Sequence, residues 1–142
     1  LGRRKGDLAA VGADALELPF GAESFDGVTV GFGVRNLASL ESGLREIRRV
    51  LKFGGRVVIL EFAKPRLLPL RAAYMFYFRR VLPGVGRLIS RHKDAYNYLP
   101  DSVLSFPEPH GLERMMSDCG FDLVGHRLLT GGIAALHWGV KA

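Results

Sequence analysis

The sequence of 142 residues contains one cysteine, Cys119, so no disulfide can form within the chain. A disulfide framework, typical of small secreted proteins, is therefore excluded, and we expect Cys119 to pack in the core at a helix end. No apolar run reaches the roughly 18 to 20 residues that a membrane-spanning helix needs, and we expect no signal peptide. We expect a cytoplasmic protein, either soluble or bound peripherally at a membrane.

Long blocks of basic residues are also lacking, although the net charge is +6. Such mild basicity is usually that of a solvated surface. We expect no nucleic-acid partner, whereas an anionic lipid surface stays open as a partner. The chain has no G-x-G-x-x-G after a predicted strand, which argues against a dinucleotide-binding oxidoreductase. We expect no metal site.

Hydrophobic residues make up 48% of the chain, which is enough for one domain with a real core, and we take residues 1–142 as that domain. Two segments, SFDGVTVGF at 24–32 and RVVILEF at 56–62, are too apolar for strands with one wet face. They predict strands covered on both sides, as in a parallel sheet flanked by helices. A further short strand is predicted at Leu8–Val11.

The segment between the two longer strands predicts a helix. Ser39 is the expected N-cap, and Gly54 and Gly55 follow the helix as a stop signal. Strand, helix and strand in this order indicate a βαβ unit. The apolar stripe of this helix has four members: Leu40, Leu44, Ile47 and Leu51.

The second half of the chain predicts more helix and a closing hairpin. Residues 66–93 predict one or two helices, apolar nearly all round and rich in arginine, which protein or an apolar ligand must cover. The strands 121–130 and 133–142 are predicted to pair across a Gly-Gly turn. Another helical stripe precedes them, formed by Leu112, Met115, Met116 and Cys119.

The segment GFGVRN, which follows the first long strand, is the candidate site. Ligands of open α/β sheets bind at the carboxyl ends of the strands. Gly31 lets a ligand lie against the backbone, and Arg35 and Asn36 offer donors to an oxygen-rich substrate. Residue types alone slightly favour the alternative, a tight strand-to-helix turn with a solvent-facing arginine.

Five segments are together more specific: GADALELPF, SFDGVTVGFGVRNL, LREIRRVLKFGGRVVILEFAKP, YNYLPDSV and LLTGGIAALHWGVKA. In this order and spacing they closely resemble the C-methyltransferases of ubiquinone and menaquinone biosynthesis, over essentially the whole chain. The resemblance implies an α/β, Rossmann-like class I methyltransferase fold with S-adenosylmethionine as methyl donor. It also implies methylation of a ring carbon of a polyprenylated quinol, which gives menaquinol or a ubiquinol precursor.

The same resemblance assigns roles to residues. Arg35 and Asn36 match the catalytic pair proposed to act at the quinol hydroxyl. Because the ordinary pKa of arginine lies above about 12, we expect Arg35 to stabilise the quinolate and orient water rather than to remove the proton. Asp14 and Ala15 match the pair that meets the adenine, with Asp14 accepting from its amino group. Gly31 replaces a common serine, which leaves only backbone contact with the cofactor.

In that fold the strand order is 3-2-1-4-5-7-6, and the first two strands hold the methionine and ribose ends of the cofactor. The resemblance begins just before the third strand of that fold. We therefore expect this chain to lack strands 1 and 2 and to be the carboxyl-terminal part of a longer enzyme. The open edge of strand 4 would favour a homo-oligomer or a partner chain. An inactive quinone-binding or assembly module is the alternative. The aromatic middle is expected to be either a lid for the prenyl tail, with membrane contact, or ordinary helix packing.

Overall fold

The computed structural model describes residues 9–65, 68–81 and 102–142. In these residues four strands form one mixed sheet in the spatial order β1-β2-β4-β3, with β1 parallel to β2 and the other neighbours antiparallel. This is the 4-5-7-6 portion of the order that the resemblance implied, which confirms the predicted α/β fold class. The strands are β1 (Phe25–Gly31), β2 (Leu51–Phe62), β3 (Phe121–Leu129) and β4 (Ala134–Lys141).

The main α-helices of the described ranges are α1 (Leu40–Val50), α2 (Leu68–Phe76) and α3 (Pro109–Asp118). A π-helical turn at Tyr77–Val81 extends α2, and residues 102–105 are also helical. None of the helices in these ranges has the length and hydrophobicity needed to span a bilayer. The βαβ unit β1-α1-β2 and the closing hairpin β3-β4 form as predicted.

The start of α1 is fixed by the predicted N-cap. The hydroxyl of Ser39 accepts a hydrogen bond from the backbone N–H of Ser42 at 3.2 Å, which satisfies one of the free donors at the helix start. Leu44 and Ile47 then point into the core under the sheet, together with Leu112 and Met116 of α3. Cys119 is buried at the end of α3, as predicted.

The predicted break at Gly54 and Gly55 is wrong in detail, because β2 begins at Leu51 and runs through both glycines. Gly54 has a φ of +75°, and the register shifts between β1 and β2 over this stretch. The glycines therefore build an irregular section of the strand, and the helix ends at Val50 without them.

The strand predicted at Leu8–Val11 is not observed, since residues 9–11 are exposed and outside regular structure. A single short strand needs a neighbour to satisfy its backbone groups, and within the described ranges none pairs with these residues. Half of the predicted helical segment 66–93 lies outside the described residues; in the other half, residues 68–81, α2 and the π-helical turn are observed.

Among the described residues, helices cover one face of the sheet and leave the other face exposed. One face carries the core side chains of β2 and β3 and lies under α1 and α3. On the other face the described residues leave apolar side chains exposed, with Leu123 at 78% and Trp138 at 39%. Arg56, Val58 and Val140 lie beside them around a shallow cavity.

Candidate active site at the carboxyl ends of β1 and β2

The chain turns sharply after β1. Phe32 has a φ of +53°, a left-handed conformation that costs energy for a bulky residue and that concentrates at functional sites. Its ring packs against Phe62 at the end of β2, with centroids 4.7 Å apart. A 3-10 turn, Val34–Asn36, follows at once and presents Arg35 and Asn36 at this edge of the sheet.

Arg35 forms an ion pair with Glu61, the penultimate residue of β2. Its Nη1 lies 2.6 Å from Oε1 of Glu61 and also donates to the carbonyl of Phe32 at 2.6 Å. The Arg35 side chain is 10% exposed and that of Glu61 is 1% exposed. The carboxylate also accepts the backbone N–H groups of Phe62 and Arg35, at 3.0 and 3.4 Å, so the buried charge has several donors. The ion pair therefore locks the 3-10 turn to the end of β2.

The alternative of a solvent-facing arginine is wrong, because the guanidinium of Arg35 is nearly buried and paired. Its Cζ lies 5.4 Å from the centroid of the Phe62 ring, an additional favourable contact. Nε of Arg35 is buried and has no hydrogen-bond partner in the described part of the chain. A donor of this kind, at the carboxyl ends of the strands, is suited to donate a hydrogen bond to an oxygen of a bound molecule.

Tyr74 of α2 is 8% exposed and brings the aromatic helix to the same site. Burial raises the pKa of Tyr74 to about 12, while the positive charge of Arg35 acts in the opposite direction. The phenol is therefore neutral at physiological pH. Tyr74 belongs to the smaller core cluster, in which Val103 is buried and Phe62 and Ile133 are partly buried.

A groove of about 200 Å³ lies beside Arg35, between the 3-10 turn and the start of α3. Ser102 and Ser105 also line it, and the rest of its lining is apolar. An apolar groove with a cation at one end suits a ring that carries an oxygen substituent.

The other predicted site residues lie on both sides of this turn. Gly31 ends β1 in an exposed position, and a Cβ placed there would meet no atom within 4 Å of the described residues, so a ligand has room against its backbone. Asn36 is exposed on the same turn as Arg35. The structure thus brings Gly31, Arg35 and Asn36 together at one edge.

Asp14 and Ala15 lie in a separate exposed loop before β1. Oδ1 of Asp14 accepts the backbone N–H of Leu16 at 2.9 Å and so shapes the loop, while Oδ2 is not part of that bond. Ala15 lines an apolar cleft of about 260 Å³ that also includes Gly33 and Val34, so the loop adjoins the turn that carries Arg35.

Sequence reasoning missed Glu61 and Tyr74 as members of the site. For Glu61 a signal was present, since a lone carboxylate ends an otherwise apolar buried strand, and burial of a charge requires a partner. For Tyr74 there was no comparable signal, because it is one of several aromatic residues in its segment and only the fold selects it.

Comparison with known proteins identifies the family. The model of the ubiE/COQ5 methyltransferase family matches residues 3–141. The chain belongs to this family. Two relatives, the ubiquinone/menaquinone biosynthesis C-methyltransferases of Klebsiella pneumoniae and Yersinia enterocolitica, are each 45% identical over 136 residues. The match covers 96% of this chain and 54% of each relative, so the chain spans about half the length of these relatives.

Solved structures agree on the fold. An S-adenosylmethionine-dependent methyltransferase from Thermotoga maritima superimposes with a TM-score of 0.62 at 19% identity, over 90% of this chain and 61% of that one. A second such methyltransferase, from Aquifex aeolicus, gives a TM-score of 0.61 at 13% identity, over 94% and 55%. The resemblance to quinone-pathway methyltransferases is thus confirmed at the level of family and fold, and the oxidoreductase alternative is excluded.

Proposed function

We propose that this chain carries the quinol-binding half of an S-adenosylmethionine-dependent C-methyltransferase that acts on a polyprenylated quinol. The observation that supports this most directly is the Arg35–Glu61 ion pair, which holds a nearly buried guanidinium beside an apolar groove at the carboxyl edge of the sheet. Demethylmenaquinol or the corresponding ubiquinol precursor is the proposed substrate class, as in the names of the relatives.

The proposed role of Arg35 is electrostatic. A ring carbon of a quinol becomes nucleophilic when the neighbouring hydroxyl loses its proton, and the quinolate oxygen then carries negative charge. Arg35 would stabilise this charge through its guanidinium, whose Nε has no hydrogen-bond partner among the residues that the structure describes. In a site with little water such an interaction is strong. Glu61 would act as a positioning residue, because it fixes the guanidinium without reaching the substrate. Asn36, exposed on the same turn, would help to orient the hydroxyl or a water molecule.

Asp14 and Ala15 are proposed to meet the adenine of S-adenosylmethionine, which when bound supplies an electrophilic methyl group on a positively charged sulfur. The apolar cleft next to Ala15 fits one face of a purine, and the exposed carboxylate of Asp14 can accept from an exocyclic amino group. Gly31 would allow close approach of the cofactor to the backbone.

The prenyl tail is proposed to lie along α2 and its π-helical turn. Phe76 and Tyr77 are 63% and 46% exposed there, while Tyr74 on the same helix is buried beside Arg35. A tail that leaves the groove would therefore meet exposed aromatic side chains. The same surface would bring the enzyme to a lipid bilayer that holds the substrate.

Kinetics of Arg35→Ala test the proposed role, measured in a protein that contains this chain together with the amino-terminal half present in the relatives. We expect a loss in kcat for methylation of a reduced demethylmenaquinone, with little change in the dissociation constant for S-adenosylmethionine, because Arg35 is expected to meet charge that develops on the substrate. Arg45→Ala, on the exposed face of α1, is the matched control. Unchanged kcat with weakened cofactor binding would contradict the assignment.

A further inference from the structure

Two histidines and a glutamate meet where α3 packs on β3, the strand at one edge of the sheet. His110 and Glu113 are three residues apart on α3, which places them on one helix face. His126 lies on β3 directly opposite His137 of β4, so both imidazoles lie on the sheet face that α3 covers. Their rings stack, with centroids 5.4 Å apart.

The carboxylate of Glu113 lies between the imidazoles of His110 and His126. Its Oε2 is 2.9 Å from Nδ1 of His110, and its Oε1 is 2.9 Å from Nδ1 of His126. One ligand atom from each of the three residues lies within 4.8 Å of the others. A transition metal about 2.0 to 2.2 Å from each ligand holds such atoms about 3.3 to 3.6 Å apart, so binding would draw the most separated pair together by roughly 1 Å.

The burial of His126 also favours a bound cation. Its side chain is 10% exposed, and in the described ranges the Glu113 carboxylate is the one polar group that approaches Nδ1. A buried nitrogen of this kind is costly unless a proton or a cation satisfies it. His137 is not a member of this group, and its Nε2 donates to the carbonyl of Pro109 at 3.1 Å.

We propose that His110, Glu113 and His126 form a binding site for a divalent transition-metal ion of the zinc class, which ties α3 to β3. Two imidazole nitrogens and one carboxylate oxygen are a ligand set typical of Zn²⁺, whereas Ca²⁺ and Mg²⁺ prefer oxygen alone. His110 is 64% exposed, so the site opens to solvent and water would complete the coordination. The sequence did not predict this site, because only the packing of α3 on β3 brings His126 to the other two residues.

Calorimetric titration of the tag-free chain with zinc sulfate tests the proposal. The site lies at the opposite edge of the sheet from β1, so association of the chain through β1 would leave it accessible. We expect a single equivalent of zinc to bind and to raise the melting temperature. Because changes to outer partners of metal sites already cost 10- to 100-fold in affinity, His110→Gln and Glu113→Gln should each weaken binding by at least about 10-fold.

Asp118→Asn is the matched control, since it removes another carboxylate from the last turn of α3, and it should leave zinc affinity unchanged. Circular dichroism of each variant shows whether the fold is retained, and Co²⁺ in place of zinc should give a visible absorption band that both site variants lose. Absence of saturable zinc binding by the unmodified chain would overturn the proposal. Equal affinity in the folded Glu113→Gln variant would overturn it as well and leave an ordinary histidine–glutamate hydrogen-bonded cluster.

Discussion

At the scale of single residues, the site depends on a charge that the fold has removed from water. Glu61 is 1% exposed, and its carboxylate accepts from the Arg35 side chain and from two backbone N–H groups. Pairs of this kind add little net stability compared with apolar residues, but removal of one partner leaves an uncompensated buried charge. The pair therefore serves mainly to position Arg35, and its disruption should be visible in stability as well as in activity.

We predict that Glu61→Gln lowers the free energy of unfolding by about 3 kcal/mol, the lower end of the range for breaking a buried pair. The matched control is Glu41→Gln, because Glu41 forms an exposed pair with Arg45 on α1, and its loss should cost below about 0.5 kcal/mol. Urea unfolding of both variants measures the difference as a shift in midpoint at constant slope. If both variants lose a similar small amount of unfolding free energy, the Arg35–Glu61 pair does not stabilise the fold more than an exposed pair does.

Asp14 allows a ligand role to be separated from a role in the loop. In a protein that also contains the amino-terminal half, we expect Asp14→Ala to weaken binding of S-adenosylmethionine by about 1 to 3 kcal/mol, the usual loss for a charge-assisted hydrogen bond. Asp14→Asn keeps an oxygen to accept the Leu16 N–H but replaces the other oxygen with a donor. Calorimetry should therefore find both variants weakened. If only the alanine variant loses affinity, Asp14 is a loop residue.

At the scale of elements, the parts predicted well from sequence are those with strong periodic signals. The β1-α1-β2 unit followed from two apolar runs around an amphipathic stripe, and Ser39 caps α1 as its position indicated. The strand at Leu8–Val11 failed because four apolar residues resemble a strand without specifying a neighbour. Gly54 and Gly55 were misassigned for a related reason, since glycine marks both helix ends and strand irregularities.

The packing of α2 against the sheet should respond to alkaline pH through Tyr74. Burial raises its pKa from 10.0 to about 12, so between these values the folded state retains a proton that the unfolded state has lost. Stability contributed by the neutral phenol is therefore fully present below about pH 10 and decreases as pH rises towards 12, by at most about 1.4 kcal/mol per pH unit.

Urea midpoints measured across this pH range should fall more steeply for the unmodified chain than for Tyr74→Phe. The phenylalanine ring keeps the shape of the side chain but cannot ionise, so it is a close control for other groups that titrate at high pH. If the midpoints of the two proteins fall in parallel with pH, ionisation of Tyr74 does not lower the stability of the folded state.

At the scale of the whole molecule, the family resemblance implied the sheet order, but nothing in the sequence indicated which distant side chains the sheet brings together. The Arg35–Glu61 pair spans 26 residues and the Glu113–His126 contact crosses from α3 to β3. Periodicity reports which face of an element is buried, and it contains no information on which polar groups meet there. The family resemblance supplied the roles of Arg35, Asn36 and Asp14, which residue types alone left undecided.

The last prediction concerns the 142 residues expressed alone, which we expect to associate and to bind S-adenosylmethionine weakly. Among the described residues β1 pairs only with β2, so its other edge presents unpaired backbone groups, and the sheet face around Trp138 and Leu123 is apolar and exposed. The contacts proposed for Asp14 and Ala15 with the adenine would amount to a few hydrogen bonds of about 1 kcal/mol each, which cannot offset the entropy of association. Light scattering after size exclusion should report dimers or larger species. Thr29→Lys, which adds a charge on the exposed side of β1, should shift these species towards monomer. The control Ser117→Lys, on the exposed side of α3, should not. A monomer of the unmodified chain that binds the cofactor at micromolar concentration would contradict both halves of this prediction.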